Sequence, residues 1–535
     1  MVRDILQRSL LAALNDVGVH PPADPIQVTP ADRRDHGDWA SNVALTMAKA
    51  AGRPPRQLAE GLRDRLAANL PTYVTKVDVA GPGFLNFWLD DAWLHDVLRL
   101  VVLDGVQGYA APDVGHGRQV NVEFVSANPT GPLHVGAGRW AAYGDAVCRI
   151  LDRCGHRVHR EYYLNDRGNQ VDLFGQSIEA RRVGGEPPDG GYQGEYVNDW
   201  ASEMPEDVDP KEWGYQRAVR DARDTLEAIG VRFDTWFSER SMVASGAIDA
   251  ALDDLRARGY VYEADGAIWL RTTDLGLEKD EVLLKTGGEP TYLLSDLAYH
   301  RDKFERGSEH LIDIWGADHH GHIARLKAGM QALGHAPDDL EILLGQLVAV
   351  QRGGEIVRMG RRRGNFVELA EIVDEVGPDV ARLTFLLQSI DTRQVFDLDT
   401  VVRQSMDNPV YYVQYAHARI ASIGRMAAER GVERRPLSDV DLSLLAHDRE
   451  LDLLRSLAEL PDVVAEACRT RAPHKVTTWV RELAGRFHGF YHDCRVLGVE
   501  VEPEVAQARL WLVEATRIGL AIGLDLLGVS APDSM

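Results

Sequence analysis

Apolar and polar positions change period several times along the chain, and each change marks an element. Val120, Val122 and Phe124 alternate with Asn121 and Glu123, the twofold rhythm of a strand. Pro129, Gly131 and Pro132 interrupt it, and Trp140, Val147, Ile150 and Leu151 then recur at helical spacing. The stretch predicts a buried strand, a Pro/Gly loop and a helix start. Further strands are predicted at residues 157–163 and 311–315. Apolar runs flank a Gly-Pro-Gly centre within residues 77–87, which predicts two strands around a turn, and Gly353-Gly354 predicts another hairpin. Helices are expected at the polar-faced N-terminus and over residues 43–51. From about Met406 the pattern is helical to the end, with Leu444, Leu451, Leu454 and Ala458 keeping the spacing. The polar, Gly/Pro-rich stretch 184–194 reads as an insertion or mobile loop.

These elements predict a multidomain α/β protein. Strands alternate with helices in the middle of the chain, the mark of a doubly wound, Rossmann-like nucleotide-binding domain. The expected division is an N-terminal α+β domain over 1–110, the nucleotide domain over 111–400 with an insertion at about 180–290, and a C-terminal all-α bundle over 401–535. A chain of 535 residues is too long for one core, which agrees with several domains.

Composition narrows the setting. With 45% hydrophobic and 26% charged residues the chain looks like an ordinary globular protein. No apolar run approaches the roughly 18 residues of a membrane span, and the N-terminus lacks the apolar stretch of a secretion signal. Cys148, Cys154, Cys468 and Cys494 form no C-x-x-C pair, which argues for a reducing cytoplasm and against a disulfide framework or zinc ribbon. His319, His320 and His322 are the tight histidine cluster, with no cysteine or H-E-x-x-H beside them, so neither structural zinc nor another protein-held metal is expected. A net charge of −23 does not suit a bulk polyanion binder, so any nucleic acid must meet a local basic stripe. Arg358 with Arg361, Arg362 and Arg363 is one such cluster; Arg434 with Arg435, and Arg469 with Arg471 and Lys475, are others. Taken singly, each reads better as solvated surface.

Candidate chemistry concentrates after predicted strands. Gly136 and Gly138 would let a ligand approach the backbone, the N–H groups of the helix start favour phosphate, and His134 is placed to donate a hydrogen bond to it. The plainer reading is a tight strand-to-helix turn. In Ile314-Trp-Gly-Ala-Asp-His-His-Gly-His322, Gly316 leaves room for an adenine or ribose face, Asp318 suits ribose hydroxyls, and His322 would lie near the nucleotide. A metal-binding His/Asp cluster is the competing reading. Aromatic residues lie beside basic ones in the last third, at Tyr411, Tyr415, Arg419, Tyr491 and Arg495, where rings can stack on bases and guanidinium groups can hold phosphates. An aromatic helix stripe is more often core.

The run Ala127-Asn128-Pro129-Thr130-Gly131-Pro132-Leu133-His134-Val135-Gly136-Ala137 resembles the first signature of the class I aminoacyl-tRNA synthetases, and the words around it resemble the arginyl-tRNA synthetases. The signature's second histidine is Ala137 here. Arg358-Met359-Gly360-Arg361 aligns with the second signature, Lys-Met-Ser-Lys, with both lysines replaced by arginine. That loop must neutralise the leaving pyrophosphate, and arginine keeps the charge if not the ammonium geometry.

The resemblance implies an ATP-dependent arginine–tRNA ligase acting on L-arginine and tRNA(Arg), with magnesium as MgATP, as a cytoplasmic monomer. His134 and Arg361 would be catalytic, and ATP would meet His134, Gly136, Gly138, Gly316, Asp318, His322, Met359 and Arg361. Glu123, Asn128, Tyr292 and Asp296 match the arginine pocket. Asn128 would hold the backbone amine or carboxylate, Tyr292 would wall the slot, and a bound guanidinium would partner Glu123, whose charge is costly on a sheet. For Asp296 the plainer role is a helix N-cap ahead of Leu297. Tyr163-Leu-Asn-Asp-Arg-Gly-Asn-Gln170 matches a family word but gains no chemistry from its residue types. The N-terminal domain would touch the tRNA elbow, and the C-terminal bundle, with Tyr411, Tyr415, Arg419, Tyr491 and Arg495, would bind the anticodon end. Two rivals are a diverged paralogue that uses arginyl-adenylate or arginyl-tRNA for another product, and a tRNA-binding protein without catalysis.

Overall fold

A computed structural model describes residues 2–535 except 23, 32, 318, 319, 358–366, 404, 405 and 407. Asp318 and the whole second-signature run, Arg358, Met359, Gly360 and Arg361, lie outside the described residues. The chain forms two compact units: Met1–Asp104 with Ala427–Ala458 and Gly489–Thr516, and Gly105–Met426 with Glu459–His488 and Arg517–Met535.

In the first unit helices α1 (Val2–Asp16), α2 (Val43–Ala51) and α3 (Pro55–Ala68) accompany a sheet of β1 (Val28–Pro30), β2 (Trp39–Ser41), β3 (Val74–Ala80) and β4 (Phe84–Leu89), in the order β1-β2-β4-β3 and antiparallel throughout. The amphipathic spacing of α1 buries Leu6, Leu10 and Leu14 completely. Asp38, in the loop before β2, accepts from the Leu89 amide (2.8 Å) and so ties that loop to β4. Helix α4 (Ala92–Gly108) is interrupted at Gly105, which has a φ of 61°.

The second unit is built on five parallel strands: β5 (Gln119–Glu123), β6 (Arg157–Leu164), β7 (Thr235–Ser238), β11 (His310–Gly316) and β12 (Leu340–Gly345), ordered β12-β11-β5-β6-β7. The chain runs outward from β5 through β6 to β7, then returns to lay β11 on the other side of β5. That reversal is the topological switch point of a doubly wound sheet, where ligands bind beyond the carboxyl ends of the strands. Helices α5 (Val135–Arg153), α6 (Asn169–Arg182), α7 (Glu195–Glu203) and α8 (Pro210–Ala228) fall between β5 and β7. Between β7 and β11 lie α9 (Glu239–Ala244), α10 (Ala247–Ala257), the antiparallel trio β8 (Val261–Ala264), β9 (Ala267–Leu270) and β10 (Glu281–Leu284), and α11 (Tyr292–Glu305). The expected insertion at 180–290 is therefore not one excursion, because β7 inside it is the fifth strand of the main sheet. Four residues, Thr-Trp-Phe-Ser, on an edge strand carry too short an alternation to be read.

Beyond α12 (His320–Ala332), strands β13 (Val348–Arg352), β14 (Glu355–Ile356) and β15 (Gln394–Asp397) make a small sheet, with α13 (Leu369–Val376), α14 (Pro378–Phe385) and α15 (Leu398–Val401) alongside in sequence. The chain then continues through α16 (Pro409–Glu429), α17 (Asp448–Thr470), α18 (Pro473–Asp493) and α19 (Pro503–Leu526). Leu444 departs from expectation: it ends a 3₁₀ turn, Leu442–Leu444, ahead of α17 and is exposed, because Asp441 caps that turn through the Ser443 amide (2.9 Å).

Close packing of α5 on β5 depends on Gly144. A Cβ built there would meet the Phe124 ring at 2.3 Å, and Phe124 is fully buried. Gly144→Ala should lower stability by about 1–3 kcal/mol through overpacking, outweighing the roughly 1 kcal/mol that alanine normally adds to a helix. A thermal melt of the variant at or above the parent's would contradict this packing.

Candidate functional site

Glu123 ends β5 and lies in register with Asp313 on β11, so the sheet sets two carboxylates side by side at the switch point. Both are buried. The counter-charge comes from Lys303 on α11, which is 0% exposed and whose Nζ donates to Glu123 Oε2 (2.6 Å) and Asp313 Oδ1 (2.9 Å). The cation that Glu123 needs is thus internal, a correction to the expectation that a ligand guanidinium supplies it. Charge counting along β5 exposed the need but could not find a partner 180 positions away. Burial pushes the Glu123 carboxyl up against the opposing pull of Lys303. Burial also works against the charge on Asp313, but Lys303 and then His300 hold that carboxyl well below the usual range.

The chain leaves β5 through a strained turn. Val125 and Ser126 have φ of 70° and 38°, a left-handed conformation that a β-branched residue rarely adopts. The turn is held because Ser126 Oγ donates to Glu123 Oε1 (2.9 Å) and accepts from the Tyr163 amide (3.0 Å). Nothing in the periodicity of Phe-Val-Ser announces it. The loop beyond is fastened from three sides. Tyr162 Oη accepts from the Ala127 amide (3.0 Å), Tyr196 Oη donates to the Thr130 carbonyl (3.0 Å), and Asn128 Nδ2 donates to Gln170 Oε1 (2.7 Å). Gly131, at φ 146°, lies so close to the Tyr196 ring that a Cβ would meet it at 2.8 Å. The 163–170 word thereby gains a role: Gln170 holds Asn128, and the buried Asp166 accepts from Ser238 Oγ (2.5 Å) and the Arg240 amide (2.9 Å).

Beyond the strand ends is a cavity of about 790 Å³, lined by Glu123, Asn128 and His134 after β5, Tyr292 and Asp296 on α11, Gly316 at the end of β11, and His322 on α12. Residues assigned from three separate sequence words therefore meet in one space. Asp296 is not the N-cap of its helix; Thr291 is, its side chain accepting from the Leu294 amide. Asp296 Oδ2 instead accepts from His322 Nε2 (2.6 Å). His322, expected beside a nucleotide, is thus engaged with the carboxylate on α11, and its ring stacks on Trp315 at 5.9 Å. Tyr292 is 86% exposed and stands at the rim.

His134 is the N-cap of α5, its Nδ1 accepting from the Ala137 amide (3.3 Å), which leaves the ring proton on Nε2. Packing alone already requires that the two signature glycines lack a side chain. A Cβ on Gly136 would meet the His134 ring at 2.9 Å, and one on Gly138 would strike Leu369 at 2.5 Å. Ala137 is fully buried, so the helix start is built around a small side chain. Sequence reasoning missed Glu368. Residues on either side of it pair with the signature: Val135 donates to the Val367 carbonyl (3.1 Å) and Leu369 to the Leu133 carbonyl (2.7 Å). Burial, then Glu371, Asp221 and Asp199, push the Glu368 carboxyl up to about 7.

The basic clusters that are described are neutralised locally: Arg434 by Glu514 (3.2 Å), Arg435 by Glu504 (2.5 Å), Arg471 by Glu341 (3.1 Å) and Lys475 by Glu466 (3.0 Å). On α16 the Tyr411 and Tyr415 rings stack at 5.7 Å and the Arg419 guanidinium lies 4.7 Å over Tyr415. Tyr491 and Arg495 belong to the first unit, where Arg495 pairs with Glu500. Among the described residues no group of three potential ligands could hold a metal ion, and no helix is long and apolar enough to cross a membrane.

Three family models match. Residues 4–89 match the arginyl tRNA synthetase N terminal domain, 99–183 and 208–416 the tRNA synthetases class I (R) catalytic domain, and 413–535 the DALR anticodon binding domain. The chain is 46% identical to the arginine–tRNA ligase of Moorella thermoacetica over 99% of each chain, and 49% identical to that of Frankia alni over 94% of this chain and 93% of the other. Among solved structures it is similar to a putative arginyl-tRNA synthetase from Campylobacter jejuni (TM-score 0.75, 33% identity, covering 84% of this chain and all of that one). The fold is also that of the Thermus thermophilus arginyl-tRNA synthetase (TM-score 0.79, 24% identity, all of both chains).

Glu368 yields a pH prediction. Its folded-state value lies above that of an unfolded glutamate, so its stabilising contribution is complete below about pH 4.5 and is lost as pH rises through about 7. Glu368→Gln should therefore melt above the parent at pH 8, with the gap closing toward pH 5. A gap that is constant with pH would remove the like-charge explanation.

Proposed function

The chain belongs to the arginyl-tRNA synthetase family, and from that premise we propose how its residues divide the work of the reaction. The protein is an arginine–tRNA ligase that uses ATP. A carboxylate oxygen of arginine attacks the α-phosphorus of ATP and the bond to pyrophosphate breaks. A hydroxyl of the terminal tRNA ribose then attacks the carbonyl carbon of the adenylate, loses its proton, and AMP leaves. Neither step needs a covalent bond to a side chain, so the protein's contribution is orientation and charge.

Arginine occupies the part of the cavity bounded by Glu123, Asn128, Tyr292 and Asp296. What supports this reading is that two carboxylates from separate segments, Glu123 on β5 and Asp296 on α11, line one cavity together with His134 at the α5 helix start. A guanidinium offers five fixed donors and suits two acceptors better than a lysine ammonium does. A neutral analogue would leave a desolvated carboxylate without its partner, at about 1–3 kcal/mol. The triphosphate lies against the α5 N-terminus, where His134 Nε2–H is a donor, and toward Gly316. Arg361, with Arg358 and Met359, would close on the pyrophosphate, and Asp318 would meet the ribose. Magnesium would arrive with ATP as its complex. Attack by the 2′-hydroxyl, activation that waits for bound tRNA, anticodon contacts from Tyr411, Tyr415, Arg419, Tyr491 and Arg495, domain limits near 110 and 400, and action as a monomer complete the reading. A cytoplasmic setting accords with four buried, unpaired cysteines. Neither rival reading has gained an observation.

Asp296→Ala should raise the arginine KM in tRNA-dependent ATP–pyrophosphate exchange by roughly 100-fold, with tRNA affinity within about twofold of the parent. Equal loss of both would make Asp296 structural. Arg361→Ala should slow activation by about 10²–10³ with the arginine Kd unchanged; an unaltered exchange rate would take it out of the chemistry.

A further inference from the structure

Both ring nitrogens of His300 face acceptors. Nε2 is 2.6 Å from Asp313 Oδ2, and Nδ1 is 2.7 Å from the carbonyl of Asp296, one turn earlier on α11. A carbonyl cannot donate, and Asp313 is the more firmly ionised of the two strand carboxylates, so both nitrogens must carry protons and the ring is an imidazolium. The buried set is then two anions, Glu123 and Asp313, with two cations, Lys303 and His300. The other groups facing it are Tyr299, whose hydroxyl donates to Glu161 Oε1 (2.9 Å), and Glu161 itself, whose charge is taken by Arg306 at 2.8 Å. Tyr163 packs on Tyr299 with ring centroids 4.7 Å apart.

Asp296 differs. Its bond from His322 needs only one N–H, and Oδ1 has no hydrogen-bond partner among the described residues. Arg325, an arginine on the cavity wall, is drawn toward Glu281 at 3.5 Å.

We propose that Lys303 and His300 are positioning residues that make the strand-end network electrically neutral, so that Asp296 alone reads the charge of arginine while Glu123 serves as a fixed hydrogen-bond acceptor. The idea rests on the arginine-pocket reading above and assigns different tasks to its two carboxylates.

The test compares equilibrium dissociation constants for arginine and citrulline, which have nearly the same shape and differ by one charge. Asp296→Asn should erase the preference for arginine, a loss of roughly 100-fold. The paired change Glu123→Gln with Lys303→Met removes one anion and one cation together. It should weaken binding of both ligands and slow exchange, yet keep the arginine:citrulline ratio within roughly tenfold of the parent. If the paired variant loses the ratio as fully as Asp296→Asn, the proposal is overturned while the pocket reading survives. If Asp296→Asn leaves the arginine Kd unchanged, the pocket reading itself falls. A measurement on the unaltered protein guards against misfolding of the paired variant. The ¹⁵N resonances of His300, assigned by their loss in His300→Gln, should be those of an imidazolium at pH 8, and a neutral tautomer there would overturn the proposal.

Discussion

The site depends on one buried ammonium. Parallel pairing of β5 with β11 puts Glu123 beside Asp313, and both side chains are almost wholly removed from water. Leaving such charges unpaired would cost several kcal/mol per ion, which the attraction of a well-placed cation can offset. Lys303 reaches both carboxylates from α11. The helix repeat then places His300 and Asp296 on the same face, one and two turns nearer the helix start. A single helix thus supplies the cation that tolerates the strand carboxylates, the imidazolium that completes the balance, and the carboxylate that faces the cavity.

Around this core the first-signature loop is shaped by packing. Val125 and Ser126 hold a conformation that costs of order 1–3 kcal/mol per residue and persists only where neighbours over-determine it. Ser126 bonded to both Glu123 and Tyr163 does so here, and Tyr162, Tyr196 and Gln170 fix the rest. The elements before β7 therefore act as the backing of the site. Helix α7, set aside in sequence as part of an insertion, carries the Tyr196 that clamps Thr130.

Glycines in the signature show how one residue type can answer two different demands. Gly136 and Gly138 suggest close approach of a ligand, yet the space they leave is filled by His134 and Leu369. Gly144, which no motif singles out, lets α5 lie on Phe124. Close helix–strand packing and close ligand approach both demand a missing Cβ, and the sequence does not distinguish the two.

Local rules were sufficient for the strand at Glu123, the helix after His134, the hairpin around Gly81–Gly83 and the switch from strand–helix alternation to a helical C-terminus, because periodicity and turn chemistry act between near neighbours. The clustering of Glu123, Asn128, His134, Asp296 and His322 was legible only through matching motifs. Three things belonged to the tertiary structure alone: the partner of Glu123, the hydrogen bond between His322 and Asp296, and the raised carboxyl of Glu368. Each arises between residues far apart in the chain. A charge in a sequence states that it must be compensated, whereas the identity of the compensating group is decided by which strands lie side by side and which helix covers them.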